Sequence, residues 1–178
     1  FAMVRFSTSR LQNAQKREYP WVTDTTCSVF DAHVYIICLG ALFHDIGKTK
    51  IPHSVLNKSS KLRKDEWELI KKHPKVGVNL ISQYDWAHHL EPMILLHHER
   101  LDGKGYYSVP SEKIPLSARM VCVADAFDAM KSNRPYHRKK NVKACWAEME
   151  RCSGTQFDPE LLRLFRSIIG DIYLDKVK

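Results

Sequence analysis

Ala41-Leu42-Phe43-His44-Asp45-Ile46-Gly47-Lys48 is the stretch on which the reading of this chain turns. An apolar run ends there in an imidazole and a carboxylate side by side. Ile36, Leu39 and Phe43 fall on one helical face leading into His44, and Gly47 and Pro52 end that helix. Adjacent residues on a helix point about 100° apart. A pair at a helix end can therefore serve two ions, or one ion and a bridging position. Imidazole binds a metal through one nitrogen, whereas a carboxylate can join two metals through its two oxygens. Asp45 is thus the natural bridging ligand and His44 a terminal one.

Further along lie a second adjacent pair, His97-His98, at the end of an apolar run, and an isolated Asp125 among Val123, Ala124 and Ala126. An acid among small apolar residues is either paired or bound to metal, because burying it bare is expensive. His73 precedes Pro74, which pushes its backbone out of the helical region and suits a side chain turned across a cleft. These groups offer more ligands than one ion can use, and so point to a two-metal site of the kind that cleaves phosphate esters. Each has an ordinary alternative. Two histidines can simply cap a helix C-terminus, where positive charge is favourable, and Asp125 can be a buried hydrogen-bond partner. Their conjunction in one small chain favours a metal site. His33, His53, His88 and His89 lack such context and read as ordinary core or surface residues.

The rest reads as helix after helix. A segment over 63–72 places Trp67 and Ile70 inward, 76–84 follows Pro74, and 90–99 ends in the histidine pair. The loop Asp102-Gly103-Lys104-Gly105-Tyr106-Tyr107 has two glycines that permit unusual backbone angles. Pro115 opens a long helix with Met120, Val123, Phe127 and Met130 on one stripe. Asp158-Pro159 caps a last helix, with Leu161, Leu164, Ile168 and Ile172 on its apolar face. No run alternates with period two for long enough to make a strand. The expected fold is all-α, a helical bundle with metal ligands on facing helices.

Composition bounds the rest. The 178 residues suit a single domain, 1–178, with residues 1–28 as a divergent N-terminal segment and 29–175 as a helical core. The chain begins with Phe1 rather than Met, which reads as an excerpt with upstream domains elsewhere. A net charge of +8 favours an anionic partner. The basic residues cluster, from Lys48 to Lys75 and from Lys131 to Lys143, beside the candidate ligands. The five cysteines are odd in number, and no two make a C-x-x-C. Cys38 and Cys122 lie in apolar stretches, as buried thiols do, which suggests a reducing, cytoplasmic setting without disulfides. The apolar stretch 29–43 is too short to span a bilayer and holds Asp31 and His33, and no signal peptide is visible.

The ordered blocks resemble the HD-GYP family. They are His44-Asp45-Ile46-Gly47-Lys48, Ile51-Pro52, His73-Pro74, His97-His98-Glu99-Arg100, Asp102-Gly103-Lys104-Gly105-Tyr106, Val123-Ala124-Asp125, Arg134-Pro135-Tyr136 and Gly154-Thr155-Gln156-Phe157-Asp158-Pro159. Any one block is weak, but the set in this order is specific. The resemblance implies an HD-superfamily helical bundle with a metal site between facing helices. It implies a bacterial signalling phosphodiesterase that hydrolyses cyclic di-GMP to linear pGpG, and further to GMP, or one that prefers cyclic GMP-AMP. It implies two divalent metal ions, iron or manganese. Residue by residue, His44 and Asp45 match the family's dyad, His73, His97 and His98 the second metal's histidines, and Asp125 a carboxylate of the first. Lys48 matches the lysine at the scissile phosphate and acts in catalysis with Asp45, while Tyr106 and Arg134 match residues that hold the dinucleotide. The expected partner is a cyclic dinucleotide, not DNA, with a signalling protein docking through the Gly105-Tyr106-Tyr107 loop.

Two departures qualify this. Tyr107 stands where the family has proline, which is expected to loosen the loop. The family's early-helix histidine, roughly thirty residues before the dyad, has no counterpart in Ser7-Thr8-Ser9-Arg10-Leu11-Gln12-Asn13-Ala14-Gln15. The first metal then loses a ligand, and the alternative function is a catalytically weak or inactive cyclic di-GMP-binding module. His137 also replaces a basic residue, weakening one phosphate contact.

Overall fold

Apolar residues at helical spacing produce the all-α architecture that the sequence predicts. A computed structural model describes residues 29–132 and 140–170, with no strand among them beyond a single bridge between Ser153 and Phe157. The α-helices are α1 (Val29–Phe43), α2 (His53–Leu56), α3 (Lys64–Lys71), α4 (His73–Ile81), α5 (Glu91–Leu96), α6 (Leu116–Lys131), α7 (Val142–Arg151) and α8 (Pro159–Ile169). Short 3₁₀ turns, Ile46–Lys50, Asp85–Leu90 and Ser111–Lys113, join several of them.

Two apolar cores share α6. One gathers Ile36 of α1, Ile81 of α4, Ala87 and Leu90, Met93 and Ile94 of α5, and Val121 of α6. The other gathers Phe127 of α6, Cys145 and Met149 of α7, and Leu161, Leu162 and Ile169 of α8, with Phe157 between. Asp125 stands one turn after Val121, so it points towards the first core's side of α6.

Close backbone approach sets the ligand-bearing corner. A β-carbon at Gly47 would collide with the His73 carbonyl oxygen and sit 2.7 Å from the Gly77 nitrogen. Glycine at 47 thus lets the turn Ile46–Lys50 lie directly on α4, which brings Asp45 against His73.

Several expectations need correction. Helix α4 opens at His73 rather than at residue 76, so Pro74 does not push His73 out of the helix. Proline is tolerated in the first turn, where its missing N–H has no intrahelical acceptor. Trp67 is not inward but 44% exposed. Its neighbour Glu66 takes the buried position, accepting both Lys58 Nζ (2.6 and 2.8 Å) and the Arg63 N–H (2.7 Å). On α8 the inward stripe is Leu161, Leu162, Phe165 and Ile169, while Leu164 and Ile168 are half-buried and Ile172 lies outside the described residues. That segment has apolar residues on two adjacent stripes, and packing against α6 selects one. Cys38 is exposed, on the side of α1 that also leaves Tyr35 and Leu42 open, whereas Cys122 is buried. Helix α7 was not expected. Among the described residues no helix is long and apolar enough to cross a membrane.

Candidate metal centre

Where α1 ends, the side chains of His44 and Asp45 converge, and the backbone fixes the imidazole. The His44 Nδ1 atom donates to the Ala41 carbonyl at 2.6 Å. The same device recurs at the two buried imidazoles: His73 Nδ1 donates to Ile70 O at 2.7 Å, and His97 Nδ1 to Ile94 O at 2.9 Å. With Nδ1 engaged by a carbonyl, each of the three rings turns its remaining nitrogen, Nε2, towards Asp45.

Asp45 receives them with both oxygens. Its Oδ1 lies 3.1 Å from His73 Nε2 and 3.8 Å from His97 Nε2, while its Oδ2 lies 3.3 Å from His44 Nε2 and 2.5 Å from Lys48 Nζ. Asp125 Oδ1 stands 3.6 Å from His44 Nε2. His98 packs beside His97, with ring centroids 4.0 Å apart. Two donor groups result: Asp45, His73, His97 and His98, and His44, Asp45 and Asp125, each with its atoms within 4.8 Å of one another. Asp45 belongs to both.

These atoms fit a divalent cation better than they fit each other. The Nε2 of His73 and that of His97 approach to 3.3 Å, a hydrogen-bond distance, yet both rings already donate through Nδ1. Two lone pairs therefore face one another in a site where both rings are almost wholly buried. His44 Nε2 and Asp45 Oδ1 are buried without any hydrogen-bond partner. Leaving such atoms unmatched is costly. A mixed imidazole and carboxylate set of this kind suits a first-row divalent metal.

Electrostatics follow the same geometry. Burial opposes charge on Asp45, yet His44, His73 and His97 hold its carboxyl far below the usual range. Burial likewise opposes charge on Asp125, and His44 holds its carboxyl down. Burial works against a proton on His44 too, but Asp125 and Asp45 push it up to about 10. Burial, with His97 and His73 nearby, pushes His98 down to about 2 and keeps its imidazole neutral. A proton on His44 and a cation compete for the same nitrogen.

The centre opens into a cavity of about 1030 Å³ lined by Lys48, His98, Tyr106, Asp125, Trp67 and the basic stretch around Lys58 to Lys64. Tyr106 lies 4.4 Å from His98, ring to ring, and 5.9 Å from Trp67. The structure thus brings together His44, Asp45, Lys48, His73, His97, His98, Tyr106 and Asp125. Arg134, His137 and residues 7–15 lie outside the described residues. His53 and His88 are exposed.

Two supports carried no assigned role in the sequence. Glu99 is buried and accepts the N–H groups of Tyr107 (2.7 Å) and Val109 (2.9 Å), fixing the loop that bears Tyr106. A β-carbon at Gly105 would lie 2.5 Å from Glu99 Oε2, so the loop's glycine serves this close approach. Tyr107 itself tethers the loop instead of loosening it. Its hydroxyl donates to Lys71 O at 2.9 Å, and Lys75 Nζ lies 4.5 Å from the ring centroid. Proline there could not donate the N–H that Glu99 accepts.

Comparison with known proteins places this geometry. A family model for the HD domain matches residues 25–161. The chain is 43% identical over 132 residues to the cyclic di-GMP phosphodiesterase response regulator RpfG of Xanthomonas campestris, covering 72% of this chain and 35% of that protein. It is 36% identical over 148 residues to a cyclic di-GMP phosphodiesterase of Thermotoga maritima, covering 77% and 39% respectively. It is 34% identical over 124 residues to 3'3'-cGAMP-specific phosphodiesterase 2 of Vibrio cholerae, covering 68% and 24%. The chain thus spans between about a quarter and two fifths of the length of these curated relatives. Among solved structures, Bd1817, an HDG"Y"P protein from Bdellovibrio bacteriovorus, shares the fold with a TM-score of 0.62 at 19% identity, covering 78% of this chain and 44% of that one. Fold, ligand geometry and relatives converge: the chain belongs to the HD domain family and carries the motif set of its HD-GYP branch.

Proposed function

We propose that this chain is a metal-dependent phosphodiesterase acting on a cyclic dinucleotide, converting cyclic di-GMP to linear pGpG, with cyclic GMP-AMP as the competing substrate. The observation that carries this reading is Asp45, whose two oxygens each face a different set of imidazole nitrogens. The names of the relatives supply the substrate class. In this reading His44, Asp45 and Asp125 hold one cation and Asp45, His73, His97 and His98 the other. Iron or manganese suits this donor mixture. When bound, such a pair supplies a water that is acidic near neutral pH and charge stabilisation for the phosphoryl oxygens.

The chain's own groups do the rest. Lys48 sets its side-chain nitrogen beside Asp45 on the cavity wall, where it can neutralise charge on a phosphoryl oxygen. Tyr106, held by the Glu99-anchored loop, orients the nucleotide against His98. Arg134, outside the described residues, is the candidate for the second phosphate, which its planar fork suits. The cavity lies just above the roughly 300–1,000 Å³ of small-ligand sites, room for a dinucleotide. A reducing cytoplasm is the setting we assign.

A second reading, a cyclic di-GMP receptor without turnover, draws on one observation. The His44 group has three donors against four at its neighbour. Incubation with cyclic di-GMP or cyclic GMP-AMP in saturating manganese or ferrous iron, with products separated by chromatography, tests both. Linear dinucleotide supports the phosphodiesterase. Calorimetric binding with no product supports the receptor.

A further inference from the structure

Trp67 sits on α3, 44% exposed as a residue, on the wall of the large cavity. It meets Tyr106 edge to face at 80°, and so is not stacked on it. Tyr106 in turn lies 4.4 Å from His98. The rings form a row that begins at the metal-ligand cluster and ends on the cavity wall. Beside Trp67 that wall is apolar, built by Val55, Leu56, Leu62 and Ile70. Its rim carries exposed Lys61 and Lys64, whereas Lys58 and Arg63 are held by Glu66 and Asp65.

Each part of this arrangement has a match in a nucleotide. An open aromatic face takes a base of any sequence by stacking, and rim ammonium groups take phosphate as point charges. A dinucleotide with one phosphate at the metal ligands must place its second nucleoside further along the cavity, where Trp67 and the lysines stand. We infer that Trp67 is the base-stacking residue of this site. It receives the purine of the nucleotide whose phosphate is not at the ligand cluster, and it sets the preference for dinucleotides over small phosphodiesters. This rests on the phosphodiesterase reading above.

The test compares the wild-type chain, Trp67→Ala and Trp67→Phe, each loaded with manganese, on cyclic di-GMP and on methyl 4-nitrophenyl phosphate, a diester without a purine. Trp67→Ala should raise KM for cyclic di-GMP roughly ten- to a hundredfold, with kcat within about twofold because the indole does not touch the reacting atoms. Trp67→Phe should restore most of the affinity, and the small diester should not distinguish the three proteins. Cyclic di-GMP should also quench indole fluorescence in the wild type, with the quench lost in Trp67→Phe although three of the four tryptophans remain. Equal KM values for cyclic di-GMP in wild type and Trp67→Ala, equal losses on both substrates, or a quench that persists in Trp67→Phe would overturn the assignment. A wild-type chain that turns over neither substrate defeats the phosphodiesterase reading alone. Calorimetry and quenching with cyclic di-GMP then decide Trp67: weaker binding by Trp67→Ala supports it, and equal binding or no binding by the wild type refutes it.

Discussion

Asp45 has one role that no neighbour can take over, because only a carboxylate can address two ligand groups through two separate atoms. Replacing it with alanine leaves His73 and His97 with no anion between them, His44 with only Asp125, and Lys48 with no partner. We expect Asp45→Ala to lose both metals by elemental analysis and all turnover; a variant that keeps its metals and its activity would end the two-cation reading. A second residue-scale prediction concerns the thiols. Burial pushes the Cys122 thiol up to about 12, with Asp125 adding to the effect, so it stays protonated and shielded. Cys38 is exposed. Maleimide at about pH 8 should modify Cys38 in the native chain and reach Cys122 only after denaturation, as peptide mass mapping can show. At this scale the candidate ligands were legible, because imidazole and carboxylate announce their chemistry wherever they stand. The exposure of Cys38 and Trp67 was not. A helix apolar on most sides, like α1, does not say which side meets the core. Glu66 displaced Trp67 only because Lys58 and the Arg63 N–H came within reach of its carboxylate.

Elements meet here through absences of side chain as much as through their presence. Gly47 and Gly77 bring a 3₁₀ turn onto the backbone of α4, and that contact fixes how far Asp45 stands from His73. Gly47→Ala should therefore cost stability and metal affinity together. An inserted methyl against backbone that cannot yield costs roughly 1–3 kcal/mol. For a domain of this size that is a fall of roughly 2–4 °C in Tm per kcal/mol. Gly170→Ala, with nothing within 4 Å of the new β-carbon, is the control and should leave both unchanged. If thermal melts and metal titrations show Gly47→Ala behaving like the control, close approach is not what places Asp45. The helix start at His73 and the stripe of α8 show the limit of local reading. Proline in a first turn and two parallel apolar stripes are each compatible with more than one boundary or face, and tertiary packing chose. The signal for α7 is present, with Asn141 accepting the Ala144 N–H at 2.8 Å and Val142, Cys145, Trp146 and Met149 at helical spacing. It is overlaid by the basic run that precedes it, which reads as charged surface.

At the scale of the molecule, the metal centre and the two cores divide the labour unequally. The candidate ligands come from the end of α1, the turn after it, α4, the end of α5 and the middle of α6. All of these border the first core, and none comes from α7 or α8. Cations that bind the folded chain and not the unfolded one stabilise it by mass action, about 2.7 kcal/mol at a hundredfold excess over Kd. Chelation should then lower Tm by several degrees, at roughly 2–4 °C per kcal/mol. The loss should also be uneven. Without cations, the lone pairs of His73 and His97 face each other and the elements that carry them lose their common tie, so α1, α4 and α5 should open more readily. Helices α7 and α8 keep Cys145, Met149, Leu161, Leu162 and Ile169 packed on α6, and Arg119 stays paired with the Asp158 cap at 2.7 Å. Amide hydrogen exchange before and after chelation should show protection falling in α1, α4 and α5 and holding in α7 and α8. A uniform loss across both cores would mean that the chain melts as one unit, and that the bound cations stabilise the whole fold rather than the corner that holds them.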